Sequence, residues 1–245
     1  EVIGQTYKGR PIEGQAVGVC RACGSFGDIS CFSFYPNKHI TTGEGGMVLT
    51  NDPALAERCR SLRNLCFQEK KRFVHEEIGW NYRMTNVQAA LGVAQLEQLD
   101  EFIQKKYYIG KVYRELLSEV AGTNTINCIS GITLPCPEKE YAKNIYWVFG
   151  VLLNEKIPNH ITADIVMKKL SERKIGTRPF FYPMHLQPVF KKMGLFLNEK
   201  YPVSEMLSSR GFYIPSGLAL TEEQMKRVVT NLKEVLDECR CNECR

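Results

Sequence analysis

Hydrophobic and polar positions along the chain switch between a period of two and a period near 3.6, the marks of strand and helix. Residues 28–34 (Asp-Ile-Ser-Cys-Phe-Ser-Phe) alternate and predict a strand that ends at Tyr35-Pro36. A second strand, Met47 to Thr50, follows the turn Gly43-Glu44-Gly45-Gly46. Asp52 before Pro53 supplies an N-cap and a first-turn proline, which predicts a helix over 53–65. Thr85-Asn86-Val87-Gln88 is a capping-box pattern, with Val87, Ala90, Leu91 and Ala94 at helical spacing behind it. That pattern runs to about Val120 with only Gly110 interrupting it, so one long helix is expected, bridging two domains or forming a subunit contact.

A loop rich in Gly, Asn and Pro (Gly122 to Glu140) changes the character of the chain. The pattern then predicts a strand over Tyr146 to Leu153, a helix over 162–173 and a short strand over Ile175 to Thr177. After these come a helix near 203–209, a strand over Gly211 to Pro215 and a last helix opened by Thr221-x-x-Gln224. Strands alternating with helices give an α/β class. The expected division is part of a large domain over 1–120, a smaller α/β domain over 121–238 and a Cys-rich tail over 239–245.

Composition narrows the classes. With 245 residues, 44% hydrophobic, 24% charged and a net charge of +5, the chain is an ordinary globular protein, and disorder and collagen are excluded. Basic clusters such as Lys70-Lys71-Arg72 and Lys105-Lys106 read as solvated helix faces without interleaved aromatics, so no nucleic acid is expected as a partner. No apolar run reaches the roughly 18 residues of a membrane span, and Glu1-Val2-Ile3-Gly4 lacks the basic and apolar parts of a signal peptide. The expected compartment is the cytoplasm, with no membrane contact. Ten cysteines include two groupings, Cys20-x-x-Cys23 and Cys239-x-Cys241-x-x-Cys244, whose thiolates could share a tetrahedral zinc. Neither is followed by a histidine or second cysteine pair at a zinc-finger interval, so reduced free thiols and no metal are expected.

The informative stretch runs from Gly24-Ser25-Phe26-Gly27-Asp28 through Ser33-Phe34-Tyr35-Pro36-Asn37-Lys38-His39 to Thr42-Gly43-Glu44-Gly45-Gly46. It puts one lysine on a tight turn after a strand, with a serine five residues earlier. Such a lysine is either a solvated turn residue or, where desolvated, a nucleophile for Schiff-base chemistry.

This string resembles the active-site signature of the DegT/DnrJ/EryC1/StrS family of pyridoxal-phosphate-dependent sugar aminotransferases. The resemblance continues through Gly79-Trp80-Asn81-Tyr82-Arg83-Met84-Thr85-Asn86 and the Gln88 to Glu97 segment, and resumes at Thr177-Arg178-Pro179-Phe180-Phe181-Tyr182-Pro183-Met184-His185. It implies a fold-type I PLP-dependent transferase (aspartate-aminotransferase-like), here the C-terminal part of the large domain plus the small α/β domain. The implied reaction is amination of a nucleotide-linked 4-keto-6-deoxy sugar, with glutamate as donor, in a homodimer with shared active sites. Lys38 would join pyridoxal 5'-phosphate through a Schiff base and carry the proton between sugar and cofactor. Ser33 matches a phosphate-binding serine, and Asn81 and Arg83 lie in a segment that reaches the cofactor phosphate of the neighbouring subunit. Arg178 and His185 match a segment near the nucleotide-sugar pocket. Glu1 is placed on the substrate side, at the tail of the family's Asp-x-x-(Glu/Gln/His) motif.

Two departures from the family bear on these expectations. By the resemblance, the chain is expected to begin about three positions after the aspartate that would pair with the pyridine nitrogen. In addition, Glu13 to Cys23 reads as an insertion between the Gly-Arg-Pro and Gly-Ser-Phe-Gly-Asp segments. They leave room for a truncated, inactive relative, or for a zinc-stabilised binding or regulatory module on the same scaffold.

Overall fold

The computed structural model describes residues 2–8, 20–119 and 131–241. The chain divides into two compact units, residues 1–104 with 138–147, and residues 105–137 with 148–245.

In the first unit, β1 (Thr6–Lys8) pairs antiparallel with β2 (Cys20–Ala22), and β3 (Ser30–Ser33) pairs antiparallel with β4 (Gly46–Leu49) in the register Ser30 to Leu49 and Ser33 to Gly46. Gly46 is required there, because a Cβ would lie 2.7 Å from the Phe32 carbonyl oxygen across the ladder. The β4 side chains Met47, Val48 and Leu49 stay exposed.

Helix α1 (Pro53–Arg63) starts where the Asp52 carboxylate accepts from Ala54 N at 2.7 Å and Leu55 N at 3.2 Å, and Arg60 and Arg63 sit in its last turn, favourable for the helix dipole. Helix α2 (Asn86–Leu96) starts at the complete capping box of Thr85 and Gln88. The single helix expected over 85–120 is interrupted: after a turn at Glu97 and Gln98, α3 (Leu99–Glu119) begins. Gln98 Nε2 donates to the Ala94 carbonyl at 3.2 Å and Glu97 N–H folds back to Val93, which closes α2 while the apolar periodicity runs on. Gly110 lies inside α3 and does not interrupt it.

The division between units falls within α3, not at residue 121. Its second half carries Tyr113 and Leu117, both fully buried, and the Tyr113 ring packs 4.9 Å from that of Phe149 in the second unit. Burying such side chains stabilises by about 1.5–3 kcal/mol each, so this half of the helix goes with that core. The first unit regains chain at β6 (Glu138–Lys139) and β7 (Ala142–Lys143), a small antiparallel pair; β5 (Ile132–Thr133) precedes them in the second unit.

The second unit is built on a four-stranded antiparallel sheet in the order β5, β8 (Phe149–Leu153), β10 (Gly211–Ile214), β9 (Arg178–Pro179). Along β8 the odd positions Phe149, Val151 and Leu153 are buried and the even ones half-buried, as a strand with one covered face requires. The cover includes α4 (Ala163–Glu172) and α7 (Glu222–Cys241), which contribute Val166, Leu170, Met225, Val228, Val229, Leu232 and Leu236 to the core. Helices α5 (Pro188–Lys192) and α6 (Pro202–Arg210) complete the order. The strand expected at 175–177 is displaced to Arg178–Pro179. Lys174 takes a positive φ of 60° and Ile175 is buried just after α4, so the apolar spacing there belongs to a turn.

The expected tail does not begin at residue 239: α7 continues to Cys241, and the Cys239 side chain is 2% exposed.

Candidate active site

Lys38 sits on the connection between β3 and β4, and its backbone N–H donates to the Tyr35 carbonyl at 3.0 Å to close a tight turn. The connection is tied down on both sides. Thr42 N and Thr41 Oγ1 donate to the Phe34 carbonyl at 3.0 and 2.8 Å, and Phe34 N donates to Gly45 O at 3.0 Å. From α2, Gln95 Oε1 accepts from Thr41 N at 2.8 Å and Gln88 Nε2 donates to Glu44 O at 3.1 Å. The glycine-rich turn, with Gly43 at φ 78° and Gly45 at φ 149°, takes conformations that a side chain resists.

Lys38 and Ser33 line one cavity of about 450 Å³, together with Cys31, Phe32 and His39 and with Ile3 from the N-terminal segment. Ser33 and Cys31 are two residues apart on β3 and therefore share a face. Ser33 Oγ accepts from Tyr35 N at 3.3 Å, which links the serine to the start of the lysine turn. The cavity is large enough for a small aromatic cofactor. An amine and a hydroxyl on its wall are the donor set that a cofactor bearing an aldehyde and a phosphate calls for.

Asn81 and Arg83 are brought together with each other. Arg83 Nε donates to Asn81 Oδ1 at 2.9 Å and its Nη1 to Asn64 Oδ1 at 3.0 Å, and neither residue lines the Lys38 cavity. Their segment is fastened to the end of α1 by Trp80 N to Leu62 O at 2.7 Å and Tyr82 N to Arg63 O at 3.0 Å.

Arg178 and His185 belong to the second unit. Arg178 is exposed on β9. His185 is buried, and its Nε2 lies 2.8 Å from Glu205 Oε1. That hydrogen bond, with a second from Tyr201 N, holds the Glu205 carboxyl below the usual carboxylate range. The His185 ring also meets Tyr201 edge-on, with centroids 4.8 Å apart. Glu1 lies outside the described residues, as do positions 13–19 of the insertion and Cys244.

Of the two cysteine groupings, Cys244 and the side chains of Cys20 and Cys241 lie outside the described residues; among the described residues no group of three His, Cys, Asp or Glu is placed to hold a metal ion. Cys23, Cys31, Cys59, Cys66 and Cys239 are free thiols. Among the described residues no helix is long and apolar enough to cross a membrane.

One residue of the site went unnoticed in the sequence. The Trp147 ring lies 4.1 Å from Lys38 Nζ, and its Nε1 donates to the Asn37 carbonyl at 2.8 Å. Its only local signal is its rarity, one of two tryptophans in the chain.

A mixed α/β chain of two units, with a lysine on a fastened turn beside a cofactor-sized cavity, fits the class of fold-type I transferases, as expected from the sequence. The chain belongs to the DegT/DnrJ/EryC1/StrS aminotransferase family, whose model matches residues 1–233. It is 35% identical over 239 residues to GDP-perosamine synthase of Escherichia coli O157:H7, a match covering 96% of this chain and 56% of that protein. To GDP-perosamine synthase of Vibrio cholerae it is 38% identical over 215 residues, covering 86% of this chain and 53% of that protein. Among solved structures, an aminotransferase, TlmJ, from Streptoalloteichus hindustanus matches with a TM-score of 0.75 at 26% identity, over 90% of this chain and 55% of that one. The chain thus spans about half the length of the curated relatives it matches.

Proposed function

We propose that this chain carries the lysine-bearing part of a sugar aminotransferase that uses pyridoxal 5'-phosphate to aminate a nucleotide-linked 4-keto-6-deoxy sugar, with glutamate as amine donor. The observation that carries the reading is the placement of Lys38 Nζ and the Ser33 hydroxyl on one cavity, in a chain of the sugar-aminotransferase family. The substrate class follows the GDP-perosamine synthases, to which the chain is 35% and 38% identical. When bound, the cofactor supplies an electron sink for the charge left as a proton departs from the carbon beside the amine nitrogen.

Lys38 holds the cofactor aldehyde and, once released, accepts and returns that proton at Nζ, a task for an amine fixed within reach of the reacting carbon. Ser33 donates its hydroxyl to the cofactor phosphate. Asn81 and Arg83, already joined as one polar pair, face the phosphate of a neighbouring subunit in a homodimer. Arg178 offers the planar fork suited to a diphosphate, and His185 shapes the same segment through Glu205.

The test is to mix the chain with pyridoxal 5'-phosphate, reduce with borohydride and map the modified lysine. Attachment at Lys38, lost in Lys38→Ala, is the expected result. A borohydride-fixed adduct of equal yield in that variant would overturn the assignment.

A further inference from the structure

We infer that Trp147 is the positioning residue for Lys38, an indole that fixes both the amine and the backbone of its turn. The inference rests on the reading of Lys38 as the cofactor-binding lysine. A lysine side chain has four rotatable bonds and loses about 1.5–2 kcal/mol of rotamer freedom when held in one place, so an amine that must meet one carbon needs a partner to hold it. Hydrogen bonds to the turn backbone hold the Lys38 Cα, but they do not act on Nζ. The indole acts on both. Its π face lies 4.1 Å from Nζ, within the range of a cation–π contact, and its Nε1 donates to the carbonyl of Asn37, the residue just before the lysine.

Trp147 reaches this place by an unusual backbone. Tyr146, directly before it, has φ 51°, a left-handed conformation that a bulky aromatic residue resists, and its N–H is held by Asn144 Oδ1 at 2.8 Å. Trp147 and Asn37 are separated by 110 positions along the chain, and the 138–147 segment that ends in Trp147 rejoins the first unit after the chain has entered the second. A strained turn, a donor spent on the neighbouring carbonyl and a ring face on the amine all act at one side chain.

The indole itself reports on the arrangement. In a Trp80→Phe background Trp147 is the sole tryptophan. There, Lys38→Met should shift the Trp147 emission, because the charge over the ring is removed; unchanged emission overturns the stack without any cofactor present. In the second arm the chain is treated with pyridoxal 5'-phosphate, reduced and mapped. Trp147→Leu should lower modification at Lys38 about fivefold relative to the other lysines, and Trp147→Phe, which keeps a ring face, should restore it to within about twofold of the parent. Equal labelling of Lys38 in parent and Trp147→Leu overturns the positioning role. Absence of Lys38 labelling in the parent, with the emission shift intact, sinks the cofactor reading and with it the positioning role, while leaving the stack itself standing.

Discussion

Gln95 Oε1 accepts a hydrogen bond from the backbone N–H of Thr41 at 2.8 Å, joining a helix residue to the lysine turn across 54 positions. This hydrogen bond is part-buried, and without its acceptor the Thr41 amide would lose that partner. Gln95→Leu keeps the approximate volume and removes the acceptor. The expected outcome is a loss of about 1–3 kcal/mol in denaturant unfolding, together with slower attachment of pyridoxal 5'-phosphate at Lys38. Gln95→Glu, which retains an acceptor, should lose less on both measures.

Gly79 is a second point where the site depends on close backbone approach. A Cβ there would lie 2.6 Å from Cys66 N and Leu65 C, both backbone atoms that cannot swing aside. Gly79→Ala should push the 79–83 segment off the end of α1 and cost about 1–3 kcal/mol, read as a lower thermal midpoint. Gly176→Ala, where the new methyl meets nothing within 4 Å, is the matched control and should be near neutral.

Caps and turns were the legible part of the fold. Asp52-Pro53 and the Thr85/Gln88 box place the starts of α1 and α2 because those residues satisfy backbone donors within three or four positions of themselves. The break between α2 and α3 was hidden, since Gln98 closes the helix through its side chain while the apolar spacing continues past it. The division of α3 between two units depends on where Tyr113 and Leu117 find partners, which periodicity does not encode. In the site, the lysine turn stood out as a contiguous motif. Trp147 did not, because a hydrogen bond to Asn37 over 110 positions and a cation–π contact with the next residue leave no local pattern, and the fixing of His185 by Glu205 is hidden for the same reason.

Lys106 gives the second unit a specific pH dependence. Its Nζ is buried, donates to the Ser216 carbonyl at 2.6 Å, and burial pushes its pKa down from 10.5 to about 8. Below pH 8 both folded and unfolded chains hold the proton and the folded state bears the full cost of the buried charge. Between about 8 and 10 the folded lysine releases its proton while the unfolded one keeps it, so stability rises with pH, by on the order of 2 kcal/mol. Above that window Tyr108 and Tyr113, whose phenols are held above their ordinary range, work in the opposite direction. Urea unfolding at intervals from pH 7 to 10 should show the rise in the parent chain and a flattened profile in Lys106→Met; a parallel rise in both would assign it elsewhere.

Cys239, which the sequence places in a C-terminal Cys-rich tail, provides the last prediction. The thiol is 2% exposed on α7, continuing the stripe of Leu232 and Leu236, and burial pushes its pKa up. Both effects slow its reaction with thiol reagents, which need an accessible thiolate. Cys31 and Cys136 are exposed. Under native conditions a disulfide reagent should therefore modify Cys31 and Cys136 first, and Cys239 only as the chain unfolds. Cys239→Ser puts a hydroxyl into the same apolar place and should lower stability by about 1–2 kcal/mol. Deleting residues 239–245 should lower the thermal midpoint as well, since it removes the end of a helix whose side chain is part of the core. A truncated chain that melts with the parent, or a Cys239 that reacts as fast as Cys31, would overturn the place of Cys239 in the core.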